Sequence, residues 1–281
     1  MSRTAAAARL SAAGYSVAAA ASEWQAGEMV DRQYSDAVLA GLYDHFERRT
    51  GNHDFDFYLP LVLAGHAVLD VGCGTGVLLR RAREAGHTGR LCGLDPADAM
   101  LRQARRRSDI EWVLGDLASV AWDREFDLVV MTGHAFQVLI SDEELGTTLG
   151  AVRAALTAGG RFAFETRNPP FQAWESWLPD NAVEVTDLNG ALVRMAHQVE
   201  TPVHGDIVRF TTTFTSPEWD GPQTSRSTLR FLATDALAGF LSAAGMRIEE
   251  QFGDWTGGPL TDTSPEIITI ATRVGEVSRG R

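Results

Sequence analysis

Three carboxylates, Asp70, Asp95 and Asp116, and three alternating glycines at 72, 74 and 76 carry the clearest chemical signal in this sequence. The glycines lie in VLDVGCGTG, residues 68–76, where an apolar strand runs into a turn and then into a helix starting near Val77. Without Cβ atoms, such a turn lets the backbone approach a ligand closely. The spacing is GxGxG, whereas the dinucleotide fingerprint is GxGxxG. Asp70 stands at the end of the first predicted strand, Asp95 ends the second and Asp116 follows the third. Carboxyl ends of strands are where an open α/β sheet binds its ligand. Three negative charges around one crevice repel a pyrophosphate and suit a cationic cofactor that carries no phosphate.

A second set of reactive side chains follows the fourth and fifth predicted strands. His134 lies just past the fourth, and an imidazole with an ordinary pKa near 6.5 suits general-base work as well as a plain hydrogen bond in a pocket wall. Glu165, Arg167 and Asn168 cluster after the fifth; Arg167 can bind an acceptor carboxylate or pair with Glu165. The other histidines, at 45, 53, 66, 87, 197 and 204, have no metal-ligand spacing, and no metal is expected.

The elements that must position these residues follow from the apolar pattern. Strands are predicted at 66–71, 90–95, 110–115, 126–132 and 161–166, alternating with amphipathic stretches, the signature of successive βαβ units. Pro96 fits a first helical position, and Ser141 with Glu144 has capping-box spacing for a helix ending near Leu156. From 182 to 233, turn signals separate β-branched and aromatic runs such as 207–214 and 228–232, which predicts three or four antiparallel strands inserted as a cap. A helix at 234–244 and strands at 246–252 and 267–273 return the chain to the main sheet. The predicted domains are an Ala-rich segment 1–30, a candidate lid; an α/β domain of 31–170 and 234–275; and a cap of 171–233.

Composition removes whole classes of chemistry. All 25 basic side chains are arginine, so no lysine exists to form a Schiff base or to hold a nucleotide phosphate. The net charge of −12 disfavours nucleic acid as a partner, and the one basic cluster, Arg105 to Arg107, sits where cations complement a helix terminus. No apolar run is long enough to span a membrane, and the two cysteines, Cys73 and Cys92, read as reduced core residues of a cytoplasmic protein.

VLDVGCGTG at 68–76, GLDPADAML at 93–101, LGDL at 114–117 and FDLVVMTGHAF at 126–136 follow one another in order. With these four features the chain resembles the class I S-adenosylmethionine-dependent methyltransferases, small-molecule type, over roughly residues 34 to 166. The resemblance implies a Rossmann-like doubly wound seven-stranded sheet whose last hairpin holds the only antiparallel strand. It implies S-adenosyl-L-methionine as cofactor, with Asp70 and the Gly72 to Gly76 turn, Gly72, Cys73 and Gly74 foremost, on its amino-acid end, Asp95 on both ribose hydroxyls, and Asp116 with Leu117 on adenine. Pro96, Met100 and Met131 join this candidate set. Tyr43 is expected to cover the methionine moiety, with Tyr34 behind it as a further catalytic candidate beside His134 and Glu165. Asp95 also fits a helix N-cap, Asp116 a turn start, and Met100 core packing.

Asn-Pro-Pro-Phe at 168–171 matches the tetrapeptide that amino-methyltransferases place after the fourth strand, but here it comes one strand later and reads as a strand terminator. Trp24, Phe136, Phe171, Trp174 and Trp255, with Arg167 and Asn168, are the candidate acceptor residues. As a group, and with Trp177 nearby, these aromatics favour a flat apolar acceptor or an amine held by cation–π contact. The expected reaction is therefore methyl transfer to nitrogen or carbon, ahead of oxygen, of a small molecule of secondary metabolism, by a chain able to form a homodimer.

Overall fold

In the computed structural model the described residues are 30–50, 54–187 and 189–274. Seven strands form the main sheet: β1 (Ala67–Val71), β2 (Arg90–Asp95), β3 (Glu111–Leu114), β4 (Phe126–Met131), β5 (Leu156–Arg167), β10 (Met246–Phe252) and β11 (Glu266–Arg273). Their order is β10-β11-β5-β4-β1-β2-β3, and β11 alone runs antiparallel to its neighbours. Consequently the start of β11 lies at the same edge as the ends of β5, β4, β1 and β2. Cross-strand register places Glu266 opposite Arg167 there.

Period-two alternation divides the strand residues between two faces. Leu69, Cys92, Val129, Phe162 and Phe164 pack with Leu145, Leu149 and Val152 of helix α6 (Asp142–Ala155) and Leu237 and Leu241 of α7 (Thr234–Ala243). Val68, Leu91, Leu128 and Val130 face the other way, onto Tyr58 and Val62 of α3 (Asp54–Ala64) and Leu78, Leu79 and Ala82 of α4 (Val77–Glu84). Each fully buried Leu or Phe contributes roughly 1.5–3 kcal/mol relative to exposure. The capping box predicted at Ser141 and Glu144 is formed, with Glu144 N donating to Ser141 Oγ at 3.1 Å.

The cap is a four-stranded antiparallel sheet of β6 (Val183–Thr186), β7 (Leu192–Val199), β8 (Ile207–Thr215) and β9 (Gln223–Arg230). Two N-terminal helices, α1 (Arg32–Ser35) and α2 (Ala37–Thr50), tie it down. Leu39, Leu42 and Phe46 pack on Val185, Val193 and Phe214, and Gln33 N donates to Ser225 Oγ at 3.0 Å. That last contact explains a displacement from the sequence reading. The strand expected at 228–232 begins at Gln223 and stops at Arg230, because its buried inward residues are the small polar Ser225 and Ser227. Pro96 is also displaced: helix α5 (Asp98–Ala104) starts two residues later, since the Asp95 side chain holds Ala97 N in the preceding turn.

Candidate active site

The turn after β1 is built from backbone. Gly72, Gly74 and Gly76 have φ of 73°, 56° and 75°, the left-handed region, and a Cβ on Gly72 would lie 2.9 Å from Ala135 Cβ. Gly72 N and Cys73 N donate to Leu94 O at 2.8 and 3.1 Å, pinning the turn to β2. Asp95 completes the join, Oδ2 accepting from Gly74 N at 2.7 Å and Oδ1 from Ala97 N at 2.8 Å. Burial holds its carboxyl above the usual range, opposed by those two N–H donors.

A cavity of about 210 Å³ opens beside this join, lined among others by Tyr43, Gly72, Gly74, Asp95, Pro96, Met100, Asp116, Leu117 and Met131. Asp116 also starts a turn, Oδ1 accepting from Ala118 N and Ser119 N at 3.0 and 2.8 Å, so both of its readings coexist. An adjoining cavity of about 470 Å³ shares Tyr43, Gly72 and Gly74 and adds Asp70, Cys73, Glu47 and Asp54. The eleven residues predicted for the cofactor thus all line one or both of two cavities that share a wall.

Asp70 is 1% exposed, and its Oδ1 has no hydrogen-bond partner among the described residues. Burial, then the carboxylates of Asp95, Glu165 and Asp54, push it to about 8. Burial likewise pushes Glu47 to about 7 and Asp54 to about 6. An orphaned buried carboxylate oxygen is costly unless a cationic donor meets it. Glycine cradle, apolar walls and unmet carboxylate together fit a phosphate-free adenosyl cofactor with an ammonium at one end. Burial holds the Cys73 thiol well above its ordinary value, so it stays protonated in this wall. No group of three or more metal-ligating side chains occurs among the described residues.

The acceptor edge is knit by side chains from distant segments. His134, in the left-handed region at φ 60°, donates its backbone N–H to Glu165 Oε1 at 2.6 Å, while its Nε2 lies 2.9 Å from Glu266 Oε2. Tyr58 donates its hydroxyl to Glu165 Oε2 at 2.5 Å. Glu165 is fully buried, and burial, opposed by His134 and the Tyr58 hydroxyl, leaves its carboxyl at about 7. Tyr34 and Tyr43 meet edge to face with centroids 5.9 Å apart, and burial raises both phenols well above 10. Arg167 donates through Nη1 to Gln137 Oε1 at 2.9 Å and lies over the Trp177 ring at 5.1 Å.

Several predicted acceptor residues are elsewhere. Phe136 is 1% exposed and stacks on Phe164 at 4.3 Å, because the 3-10 turn at Ala135–Val138 rolls it into the core. The Asn168 amide donates to Thr261 O and Ser264 O, fixing the β10–β11 connection, so the tetrapeptide ends β5 as its position suggests. Glu165, predicted to act on the acceptor, has both oxygens engaged inward. Phe171 is exposed on the surface, and Trp174 packs edge-on against Phe231 at 4.7 Å. Trp255 stays near the site, 6.4 Å from the His134 ring. Trp24 and the candidate lid through residue 29 lie outside the described residues.

Sequence reasoning missed Tyr58, Gln137 and Glu266. Tyr58 reaches the site from α3, far from the strand ends that carry the other candidates, and Glu266 is brought in solely by the reversed direction of β11. The signal available for Glu266 is a charged residue directly ahead of the apolar pair Ile267–Ile268 in a strand buried along its length, EIITIATR.

A family model described as a methyltransferase domain matches residues 68–160. The chain is 27% identical over 220 residues to a cypemycin N-terminal methyltransferase from Streptomyces sp, covering 75% of this chain and 84% of the relative. It is 32% identical over 178 residues to a ubiquinone biosynthesis O-methyltransferase from Methylobacterium sp. (strain 4-46), covering 57% and 68%. The S-adenosylmethionine-bound structure of CalS10, an amino pentose methyltransferase from Micromonospora echinaspora, shares the fold with a TM-score of 0.63 and 22% identity over 83% of this chain and 97% of that one.

Proposed function

The chain belongs to the class I S-adenosylmethionine-dependent methyltransferases, and on that premise we propose that it methylates a small molecule at an amine or at an aromatic or heteroaromatic centre. When bound, the cofactor supplies a methyl group carried on a sulfonium. Asp95 accepts the ribose hydroxyls in this reading, Asp116 and Leu117 receive adenine, and Asp70 with the Gly72–Gly74 turn takes the amino-acid end. Tyr43, which lines both cavities, covers the junction between them.

One observation carries the preference for an amine: His134 Nε2 lies 2.9 Å from Glu266 Oε2, one residue beyond Gly133, which lines the carboxylate-rich cavity. An ionised carboxylate only accepts hydrogen bonds, so Glu266 keeps the ring proton on Nε2 and leaves Nδ1 with a lone pair. An ammonium is drawn to such a rim, and Nδ1 removes its proton to expose the nucleophilic nitrogen. Glu266 then stabilises the imidazolium. Glu165 and Tyr58 keep the His134 backbone in its left-handed turn. The cypemycin N-terminal methyltransferase to which the chain is similar, and the amino pentose methyltransferase that shares its fold, support nitrogen, while the ubiquinone enzyme marks oxygen as the competing acceptor.

Incubation with labelled S-adenosylmethionine and a panel of amines, phenols and indoles, read by mass spectrometry, tests the reading. Methyl on nitrogen or on an indole carbon is the expected product. Transfer confined to phenol oxygen overturns the acceptor assignment. Among the described residues no helix is long and apolar enough to cross a membrane, and the charge of −12 supports a small molecule over nucleic acid.

A further inference from the structure

Arg167 ends β5 directly opposite Glu266 on β11. Neighbours of opposite charge in this position ordinarily pair, yet Glu266 Oε2 is engaged by His134, and both oxygens of Glu165 are taken by Tyr58 and the His134 backbone. The guanidinium instead rests on neutral partners, Gln137 Oε1 at 2.9 Å and the Trp177 ring at 5.1 Å. Its Nε and Nη2 make no hydrogen bond among the described residues, and neither atom is sealed from solvent. Burial depresses its pKa, with Glu266, Tyr34, Glu165 and Glu47 acting only at longer range.

A guanidinium has five N–H donors in a rigid fork, and leaving most of them unmet in a partly desolvated site is unfavourable. Here the fork is also pre-oriented. Gln137 is buried, donates through Nε2 to Arg230 O at 3.1 Å, and belongs to the 3-10 turn that His134 opens. Trp177 packs at a tilt of 58° against Phe210 of the cap with centroids 4.9 Å apart. Sheet edge and cap therefore hold the cation from two sides and leave Nε and Nη2 unmet, and the residue that anchors Nη1, Gln137, lies on the same turn as the candidate base.

We propose that Arg167, set by Gln137 and Trp177, is a carboxylate-binding subsite, and that the methyl acceptor is a carboxylic acid whose accepting group is directed toward His134. The inference rests on the methyltransferase reading and adds the substrate class. Planar bidentate geometry matches the fork to a carboxylate. Charge favours a carboxylate over a phosphate: a dianion would bring two negative charges toward Glu266, Glu165 and Glu47, where a carboxylate brings one.

The test uses the full chain loaded with S-adenosylhomocysteine and two probes, indole-3-acetate and its uncharged amide, with binding followed by saturation-transfer NMR and calorimetry. The acid is expected to bind about tenfold more tightly than the amide. Arg167→Gln should abolish that preference, Arg167→Lys should retain part of it, and Gln137→Leu should reduce it. Equal binding of acid and amide by the unaltered chain, no detectable acid binding at millimolar concentration, or a preference that survives in Arg167→Gln overturns the proposal. S-adenosylhomocysteine binding is measured first in every variant. A chain that binds it and ignores the probe's charge refutes the carboxylate subsite alone, whereas an unaltered chain that fails to bind it refutes the cofactor reading beneath.

Discussion

Asp95 and Glu165 are both buried carboxylates at one edge of one sheet, yet they are held by different parts of the chain. Asp95 takes its two hydrogen bonds from backbone N–H groups of Gly74 and Ala97, within about twenty residues of itself. Glu165 takes one from the Tyr58 side chain, 107 residues away, and one from the His134 backbone, 31 residues away. The cofactor half of the crevice is thus a local device, made of a strand end, a glycine turn and the next strand end. The acceptor half is a tertiary device that exists only when α3, β4, β5 and β11 have all docked. A side-chain change on the cofactor half should therefore act on ligand contacts and the local turn while leaving the wider frame intact, whereas a change on the acceptor half should alter long-range geometry or stability as well as chemistry.

The largest effect expected from this contrast is on turnover. His134→Ala removes the proposed base, and general-base loss is worth roughly 10²–10⁴ in rate; steady-state assays should show kcat falling by about 10²-fold or more while S-adenosylhomocysteine affinity changes little. Glu266→Gln should lower kcat less. Full activity in His134→Ala would remove the base from the acceptor half. Next in size is Asp95→Ala, which forfeits charge-assisted bonds on the cofactor half. Calorimetry should show affinity for S-adenosylhomocysteine reduced by about 10²-fold, at about 1.5–3 kcal/mol per bond to a charged group. If affinity survives, the carboxylate only ties Gly74 to Ala97 and the ligand is held elsewhere.

The same contrast explains which residues the sequence disclosed. VLDVGCGTG puts Asp70 and the glycines into nine contiguous positions, and Asp95 and Asp116 follow at strand ends that the apolar runs mark directly. The succession of strands along the chain and the inserted cap are legible for the same reason, since each rests on local periodicity and turn residues, whereas the seven-stranded arrangement follows only from the family resemblance. Glu266 reaches His134 across 132 residues because one strand runs backwards, and no local pattern encodes that meeting. Phe136 and Asn168 lie beside the right strand ends, but side-chain direction there depends on a 3-10 turn and on the β10–β11 loop. The polar strand β9 was misplaced because its apolar partners are supplied by neighbours, leaving only serines to mark its inner face.

A smaller effect should appear in stability. Tyr58→Phe leaves Glu165 Oε2 buried without its donor, at a cost of about 1–3 kcal/mol. Thermal denaturation should register a lower midpoint for this variant, whereas Asp116→Asn, on the half-buried rim of the cofactor cavity, should shift the midpoint little. Equal shifts would mean that the two halves are bound into the fold to the same degree.

The smallest effect is the most specific, and it concerns a proton. Burial, followed by Asp95, Glu165 and Asp54, pushes Asp70 to about 8, so near neutrality the free protein carries it mostly protonated. A native pKa above the unfolded value means that the native state binds the extra proton, so this group's contribution to stability is full below the unfolded pKa of about 3.9 and declines as pH rises through 8. An ammonium placed against Oδ1 reverses the preference and favours the carboxylate. Binding of S-adenosylhomocysteine at about pH 6.5 should then expel up to one proton at Asp70, and affinity should climb by at most about tenfold per unit as pH rises toward 8. Calorimetry in two buffers of different ionisation heat counts the proton. Glu47 and Asp54, at about 7 and about 6, line the same cavity and titrate beneath it, so the readout is the difference between the unaltered chain and Asp70→Asn. Loss of close to one expelled proton in the variant places the ammonium against Asp70. Identical proton counts would instead assign the charge to the diffuse acidic rim, and the cofactor half would then depend on long-range electrostatics as much as on its local turn.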